Sequence, residues 1–438
     1  MSLLPETGRR IDEIIAATQA AGRMPTLVAA VVTDSTLAHL TAAGDPAGAD
    51  ADTQYRIGSI SKTLTAALVM QLRDAGRLTL DDPLDRHLPG TPMGSVTLRQ
   101  LLSHVAGLQR EPDSEWWERS PGVDVAAFLA ALTPHKLVQR QGRTYHYSNL
   151  AYGLLGAVLH RVTGESWPAL AGKHLLEPLG MRRTTYRQVE PFARGYVVHP
   201  WHGTLREEPR HDARAMAPAG QLWSTAADMA TWAAFLVDPA PAVLAPTTVD
   251  EMCTPAVIAD PEAWTRGHGL GVQMWRRGER VYVGHTGSMP GYLAVLMTHR
   301  PSRTGVVAFA NAYNMRGLSI AELGLQLLTA VLDTEPAPRP AAWRPAIAPP
   351  PDVAPLCGRW WWMGLEREAA WDADAERLVL TAVDDPDTDS WQFTQESGDR
   401  WRCHTGFNNG ETMTVQRDAA GIPVALDIAT FVFRRNPD

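Results

Sequence analysis

The stretch Ser59-Ile60-Ser61-Lys62-Thr63-Leu64-Thr65-Ala66-Ala67-Leu68-Val69-Met70-Gln71-Leu72 carries the reading of this chain. Its apolar positions Leu64, Ala67, Leu68 and Leu72 recur at helical spacing and Gly76 supplies a stop, so a helix is predicted over 59–75. Positions i and i+3 share one helix face, which puts the Lys62 amine beside the Ser59 hydroxyl. A serine hydroxyl attacks only when a neighbouring base takes its proton, and lysine does so once burial lowers its pKa towards neutrality. A helix start adds backbone N–H groups and a positive dipole end, both suited to a developing oxyanion. Taken alone, a Ser-x-x-Lys string arises about once or twice by chance in a chain of this length and then marks a solvated helix start.

Two further elements follow it. Tyr147-Ser148-Asn149 precedes an apolar helical stripe of Leu150, Tyr152, Leu154, Leu155 and Val158. A phenol held there can pass protons among Ser59, Lys62 and a leaving group, and the Asn149 amide can hold a substrate carbonyl. His285-Thr286-Gly287-Ser288 closes a strand read over 281–283. Gly287 permits close approach of another segment, and the Ser288 backbone N–H is the candidate second oxyanion donor.

The order Ser-x-x-Lys, Tyr-x-Asn, His-Thr-Gly resembles the serine β-lactamase and penicillin-binding-protein superfamily. The Tyr-Ser-Asn variant is similar to class C β-lactamases and their esterase and D-peptidase relatives. Flanking strings at 101–108, 178–181 and 218–225 also look like that family, and the resemblance spans about residues 5–335. It implies that Ser59 forms an acyl-enzyme, Lys62 is the general base and Tyr147 relays the proton. It further implies that Asn149 orients the acyl amide, with the N–H groups of Ser59 and Ser288 as the oxyanion hole. One departure matters: His285 stands where β-lactamases carry lysine, and with an ordinary pKa of about 6.5 it is largely neutral at pH 7. A fixed charge for a β-lactam or terminal D-alanine carboxylate is therefore missing. A histidine there suits an ester, amide or thioester donor and aids proton transfer to its leaving group.

Working outward, the first segment reads as a helix carrying Ile11, Ile14 and Ile15, then a strand over 26–33. Residues 97–235 read as mainly helical with loops; 281–283, 293–298 and 305–310 read as successive antiparallel strands, and 318–332 as a helix. The expected fold is an α+β, β-lactamase/transpeptidase-like domain over 1–335. A Pro-rich connector over 336–355 follows, since such proline density forbids both helix and sheet. Beyond it, 356–438 alternates short strands at 378–382, 390–394, 401–404, 412–416 and 431–433, which reads as a small all-β, lipocalin-like barrel. Trp360, Trp361 and Trp362 are expected to alternate between barrel core and an interface, and His104 and His146 to be structural.

Composition limits the partners. A net charge of −8 with no basic cluster argues against nucleic acid. Cys253, Cys357 and Cys403 are odd in number and lack metal-ligand spacing, so neither metal nor cofactor is expected. The absence of a leader or an apolar run of about 20 residues points to the cytoplasm and away from membranes. These features, with His285 and the string ending at Trp223, look like the penicillin-binding-protein-type thioesterases of nonribosomal peptide assembly. That likeness implies a linear peptidyl thioester substrate ending in a D-residue, delivered by a peptidyl carrier protein and released as a macrocycle. Trp223, Arg434 and Arg435 are then candidate substrate contacts. A hydrolase of D-peptides, esters or amides, and a non-catalytic binding protein, are the alternatives.

Overall fold

The computed structural model describes residues 3–44, 50–113, 115–335, 347–386 and 389–437. The chain divides into two units, Met1–Ala337 and Pro338–Asp438. Of the proline-rich connector, 336–346 lies outside the described residues, and 347–355 leads into a short turn at Ala354–Leu356.

The first unit is built on an eight-stranded sheet. In chain order its strands are β1 (Thr26–Thr33), β2 (Thr36–Gly44), β3 (Val257–Ile258), β4 (Arg266–His268), β5 (Gln273–Arg277), β6 (Arg280–Met289), β7 (Tyr292–His299) and β8 (Thr304–Ala310). They lie in the order β2-β1-β8-β7-β6-β5-β4-β3, with β1 antiparallel to β8, and β7 antiparallel to both β6 and β8. Side chains alternate between faces along a strand. Val28, Ala30, Val32, Leu296, Val307 and Phe309 thus turn to one core, shared with helices α2 (Ser61–Asp74), α3 (Asn149–Thr163) and α4 (Ala226–Val237). Leu27, Ala29, Val31, Val295, Met297 and Val306 turn the other way, against α1 (Pro5–Gly22) and α5 (Ile320–Thr334). A sheet buried on both faces explains why β1, β7 and β8 are nearly continuous apolar runs.

The helices begin where side-chain oxygens replace missing backbone partners. Ser148 accepts from the Ala151 N–H at the start of α3, Thr225 from Asp228 ahead of α4, and Ser319 from Glu322 ahead of α5. Two boundaries differ from the sequence expectation. Ser59 lies in a 3-10 turn, Gly58–Ile60, and the α-helix starts only at Ser61. The strand carrying His285-Thr286-Gly287 continues to Met289 instead of ending near Val283, because pairing with β7 from Val283 to Met289 outweighs the weak strand preference of Gly284 and Gly287. The pattern also missed β2 and β3 to β5, which are short or carry no clean alternation.

The second unit is a closed barrel of eight strands: β9 (Gly358–Trp362), β10 (Leu365–Asp372), β11 (Arg377–Ala382), β12 (Ser390–Ser397), β13 (Arg400–Cys403), β14 (Thr412–Arg417), β15 (Pro423–Ile428) and β16 (Phe431–Arg434). Closure leaves no open edge. Its core gathers Trp360, Leu378, Leu380, Phe393, Trp401, Met413, Leu426 and Phe433. Trp360 is wholly inside, while the half-buried Trp362 lies tilted against Phe431 with ring centroids 4.8 Å apart. β10, reading Leu-Glu-Arg-Glu-Ala-Ala-Trp-Asp, opens with six helix-favouring residues and is held as a strand by β9 and β11 on either side.

Candidate active site

The 3-10 turn bearing Ser59 lies directly against β6, which two glycines make possible. A Cβ on Gly287 would stand 1.9 Å from the Ile57 carbonyl oxygen and 3.3 Å from the Ser59 nitrogen. Gly58 adopts φ +52°, and a Cβ there would meet the Ser288 nitrogen at 2.5 Å. The close approach brings the backbone nitrogens of Ser59 and Ser288 to one wall of the cleft, the arrangement an oxyanion hole requires.

Behind Ser59, α2 delivers Lys62 into a fully enclosed position. Its Nζ is 3.0 Å from Ser59 Oγ, 2.6 Å from Asn149 Oδ1 and 2.6 Å from the Ala219 carbonyl oxygen. Burial pushes its pKa down from 10.5 to about 7, against the pull of Glu111 and Glu118 and with help from Arg110. A neutral amine has two N–H donors and one lone pair. With the donors spent on Asn149 and Ala219, the lone pair is left for the Ser59 hydroxyl, which is the alignment a general base needs.

Tyr147 closes the third side. Its phenol interacts with Ser59, its ring lies 5.1 Å from Lys62 Nζ, and burial raises its pKa far above 10. It therefore stands protonated in the resting protein, set to donate before it accepts. Its ring is wedged by His104, with centroids 4.4 Å apart. His104 also takes the Ser148 N–H on Nδ1 at 3.1 Å, so it fixes the start of α3 and the Tyr147 ring together.

His285 is fully buried. Its Nδ1 lies 2.5 Å from the Thr286 carbonyl oxygen, and its ring sits 6.1 Å from that of Tyr147. Burial, then the Lys62 charge and His268, hold it neutral. The cleft of about 360 Å³ is lined instead by its neighbours Thr286, Gly287 and Ser288, with Ser59, Arg110, Glu118, Tyr145, Tyr147, Asn149 and Gln273. His285 thus stands behind Tyr147 and not on the cleft wall.

One other expected contact is corrected. Trp223 is in the core, pairing in sheet with Arg56 and packed edge-on against Phe192 and Tyr292, because the strand pair Tyr55–Arg56 with Trp223–Ser224 turns its indole inward. Arg435 spends its guanidinium within the barrel, donating to the carbonyls of Cys357 at 3.1 Å, Arg359 at 3.2 Å and Pro355 while lying 3.7 Å over the Trp360 ring. Arg434 is exposed on β16. Asn149 has its amide engaged on both ends, Oδ1 by Lys62 and Nδ2 by Glu111 Oε1 at 2.8 Å.

Residues 110–118 hold no periodic pattern, so their part in the site is not legible in the sequence. Glu111 there takes the Asn149 amide, the Trp117 indole N–H at 2.8 Å and the Arg110 guanidinium at 3.3 Å. Glu118 joins Arg110 in lining the cleft. The carbonyl of Ala219, in the short helix Ala217–Gly220, is a further partner of Lys62 that only the fold reveals.

Comparison with known proteins places this geometry among relatives. The family model described as Beta-lactamase matches residues 11–329, and a domain of unknown function, DUF7586, matches 349–435. The chain is 28% identical to beta-lactamase-like 1 of Homo sapiens over 82% of this chain and 74% of that protein. It spans about half the length (49%) of beta-lactamase-like protein 2 of Dictyostelium discoideum, to which it is 27% identical over 58% of its own length. The crystal structure of SurE superposes with a TM-score of 0.63 at 25% identity, covering 98% of this chain and 99% of SurE. SurE with D-Leu gives a TM-score of 0.58 at 26% identity over 99% and 100%. A D-stereospecific amidohydrolase from Streptomyces sp. shares the fold at a TM-score of 0.65 and 24% identity, over 73% of this chain and 98% of that one.

Proposed function

The chain belongs to the Beta-lactamase family, and from that premise we propose that it is a D-selective serine acyl-transfer enzyme that releases a peptide as a macrocycle. A linear peptidyl thioester ending in a D-residue, brought by a peptidyl carrier protein in the cytoplasm, is the substrate. Lys62 takes the Ser59 proton, Ser59 Oγ attacks the thioester carbon, and the N–H groups of Ser59 and Ser288 hold the oxyanion. Tyr147 passes the proton to the departing thiol. The peptide's own N-terminal amine then attacks the Ser59 ester, and Ser59 leaves with a proton returned through Tyr147 and Lys62.

The observation that carries the acyl-enzyme step is the Lys62 amine, buried, held by two acceptors and 3.0 Å from Ser59 Oγ. Support for the D-residue comes from likeness to SurE, one SurE structure having been solved with D-Leu. The neutral, buried His285 supports a donor without a free carboxylate at the reacting end. Release to water instead, as a D-stereospecific hydrolase, is the second reading, favoured by the shared fold of the Streptomyces amidohydrolase.

The test is incubation of the protein and its Ser59→Ala variant with N-acetylcysteamine thioesters of short peptides ending in D- or L-residues. Products lighter than the linear acid by one water, made from D-terminated substrates by the Ser59 protein alone, are expected. Linear acid as the sole product would replace the cyclase with the hydrolase.

A further inference from the structure

The mechanism above leaves the acidic group in the cleft without a task. Glu118 is half-buried and is the one acidic side chain among the residues that line the cleft with Ser59, Tyr147 and Asn149. Glu111, from the same segment, is committed to Asn149, Trp117 and Arg110. Among the described residues nothing hydrogen-bonds or ion-pairs with the Glu118 carboxylate. A partly desolvated carboxylate without a partner is costly, and a cation entering the cleft would complete it.

We propose that Glu118 is the ammonium subsite of this cleft, holding a primary amine of the substrate beside the Ser59 acyl group. The proposal rests on the acyl-enzyme reading for its place in the reaction, though the subsite itself is a binding property. Its chemical class of ligand is a protonated primary amine, either the free α-amine of an aminoacyl donor or the N-terminus of a peptide folded back on its own ester. In cyclisation the ammonium gives one proton to the Glu118 carboxylate. The freed amine attacks the acyl carbon and the C–N bond forms. The ester C–O bond breaks, and Ser59 Oγ leaves with the second amine proton, carried by Tyr147 and Lys62.

The electrostatics suit that exchange. Burial, then the neighbouring Glu111 charge, pushes the Glu118 carboxyl up to about 7, while Lys62, Arg56 and Arg110 pull it down. An α-amine has an ordinary pKa of about 7.7 to 8.0. Donor and acceptor are thus matched near neutrality, where a proton passes between them with little driving force in either direction.

The test uses the full chain carrying Ser59→Ala, which binds without reacting. Calorimetry at pH 7 compares D-leucine amide, which has a free amine, with N-acetyl-D-leucine amide, which has none. The free amine is expected to bind more tightly by roughly 10- to 100-fold, the usual range for a hydrogen bond to a charged group. Adding Glu118→Gln should abolish the preference, and Glu118→Asp should retain part of it. Because Glu118 is about half protonated near pH 7, binding of D-leucine amide should release about half a proton, read as a heat that varies with buffer ionisation enthalpy. That release should vanish with Glu118→Gln, which a merely structural role would not produce. Equal binding of the two amides, no binding of D-leucine amide, or a preference that survives Glu118→Gln would overturn the proposal. Turnover of p-nitrophenyl acetate by the Ser59 protein, measured separately, decides the acyl-enzyme reading without bearing on this one.

Discussion

Lys62 in the first unit and Arg435 in the second are both withdrawn cations, and they are treated in opposite ways. Arg435 lies on the Trp360 ring with three carbonyls around it, all from its own unit. Burial lowers its pKa from 12.5, yet a guanidinium surrounded by acceptors stays charged. Among the described residues Lys62 has three oxygens in reach, one of them the hydroxyl of the candidate nucleophile Ser59, and burial takes it to about 7. A cation whose donors are all answered by neutral acceptors holds structure together. A cation brought to the edge of losing its proton beside a hydroxyl performs chemistry.

The largest effect that would break this contrast is at the nucleophile and its base. Ser59→Ala or Lys62→Met should each lower p-nitrophenyl acetate turnover by about 10³-fold or more while circular dichroism shows the fold retained. Residual activity within tenfold of the parent would mean that the pair does not act as a unit. Next comes Gly287→Ala. Its methyl group would collide with the Ile57 carbonyl, so β6 must retreat from the Ser59 turn. A fall in kcat of about 10²-fold is expected, in the range for losing an oxyanion donor.

The pH profile sharpens the comparison at smaller scale. The amine is a base only when neutral, so kcat/KM should rise with pH to a plateau, half-maximal near 7. Stability should follow the same group. Between about 7 and 10.5 the unfolded chain binds the proton that the folded Lys62 has lost, so stability contributed by this residue rises through that window. Below about 7 both states are protonated and this contribution is flat. Chemical denaturation of Lys62→Met at several pH values should lack that rise. The smallest kinetic effect is expected in the barrel. Arg435→Ala should cost about 1–2 kcal/mol of stability through the lost hydrogen bonds and ring contact, measured by denaturant unfolding. Its effect on ester turnover should stay within about twofold; a large loss of activity at unchanged stability would place Arg435 in the chemistry.

Much of this was legible from residues close together in sequence. The Ser59 to Lys62 spacing and the polar start of α3 at Ser148 each state a local geometry, and the 3.0 Å contact between Lys62 Nζ and Ser59 Oγ follows from the first; the glycine at 287 marks a close approach whose partner, Ile57, the fold supplies. Strands whose two faces are both buried announced themselves as apolar runs. β10 did not, because its residues prefer helix and only its neighbours in the barrel override them.

The sequence by itself determined which residues are the candidate nucleophile, base and relay, and that a separate β unit follows a proline-rich stretch, since motif spacing and proline chemistry act over a few residues. The tertiary structure alone decided which polar groups meet across long separations. Lys62 is tuned by Ala219, Asn149 and Glu111, residues far from it in the chain. Trp223 turns inward and His285 falls behind Tyr147, although both looked like cleft residues. Glu118 enters the cleft from a segment with no pattern at all. Burial and electrostatic neighbourhood are properties of the packed chain, and the shifts they impose on Lys62 and Glu118 arise only there.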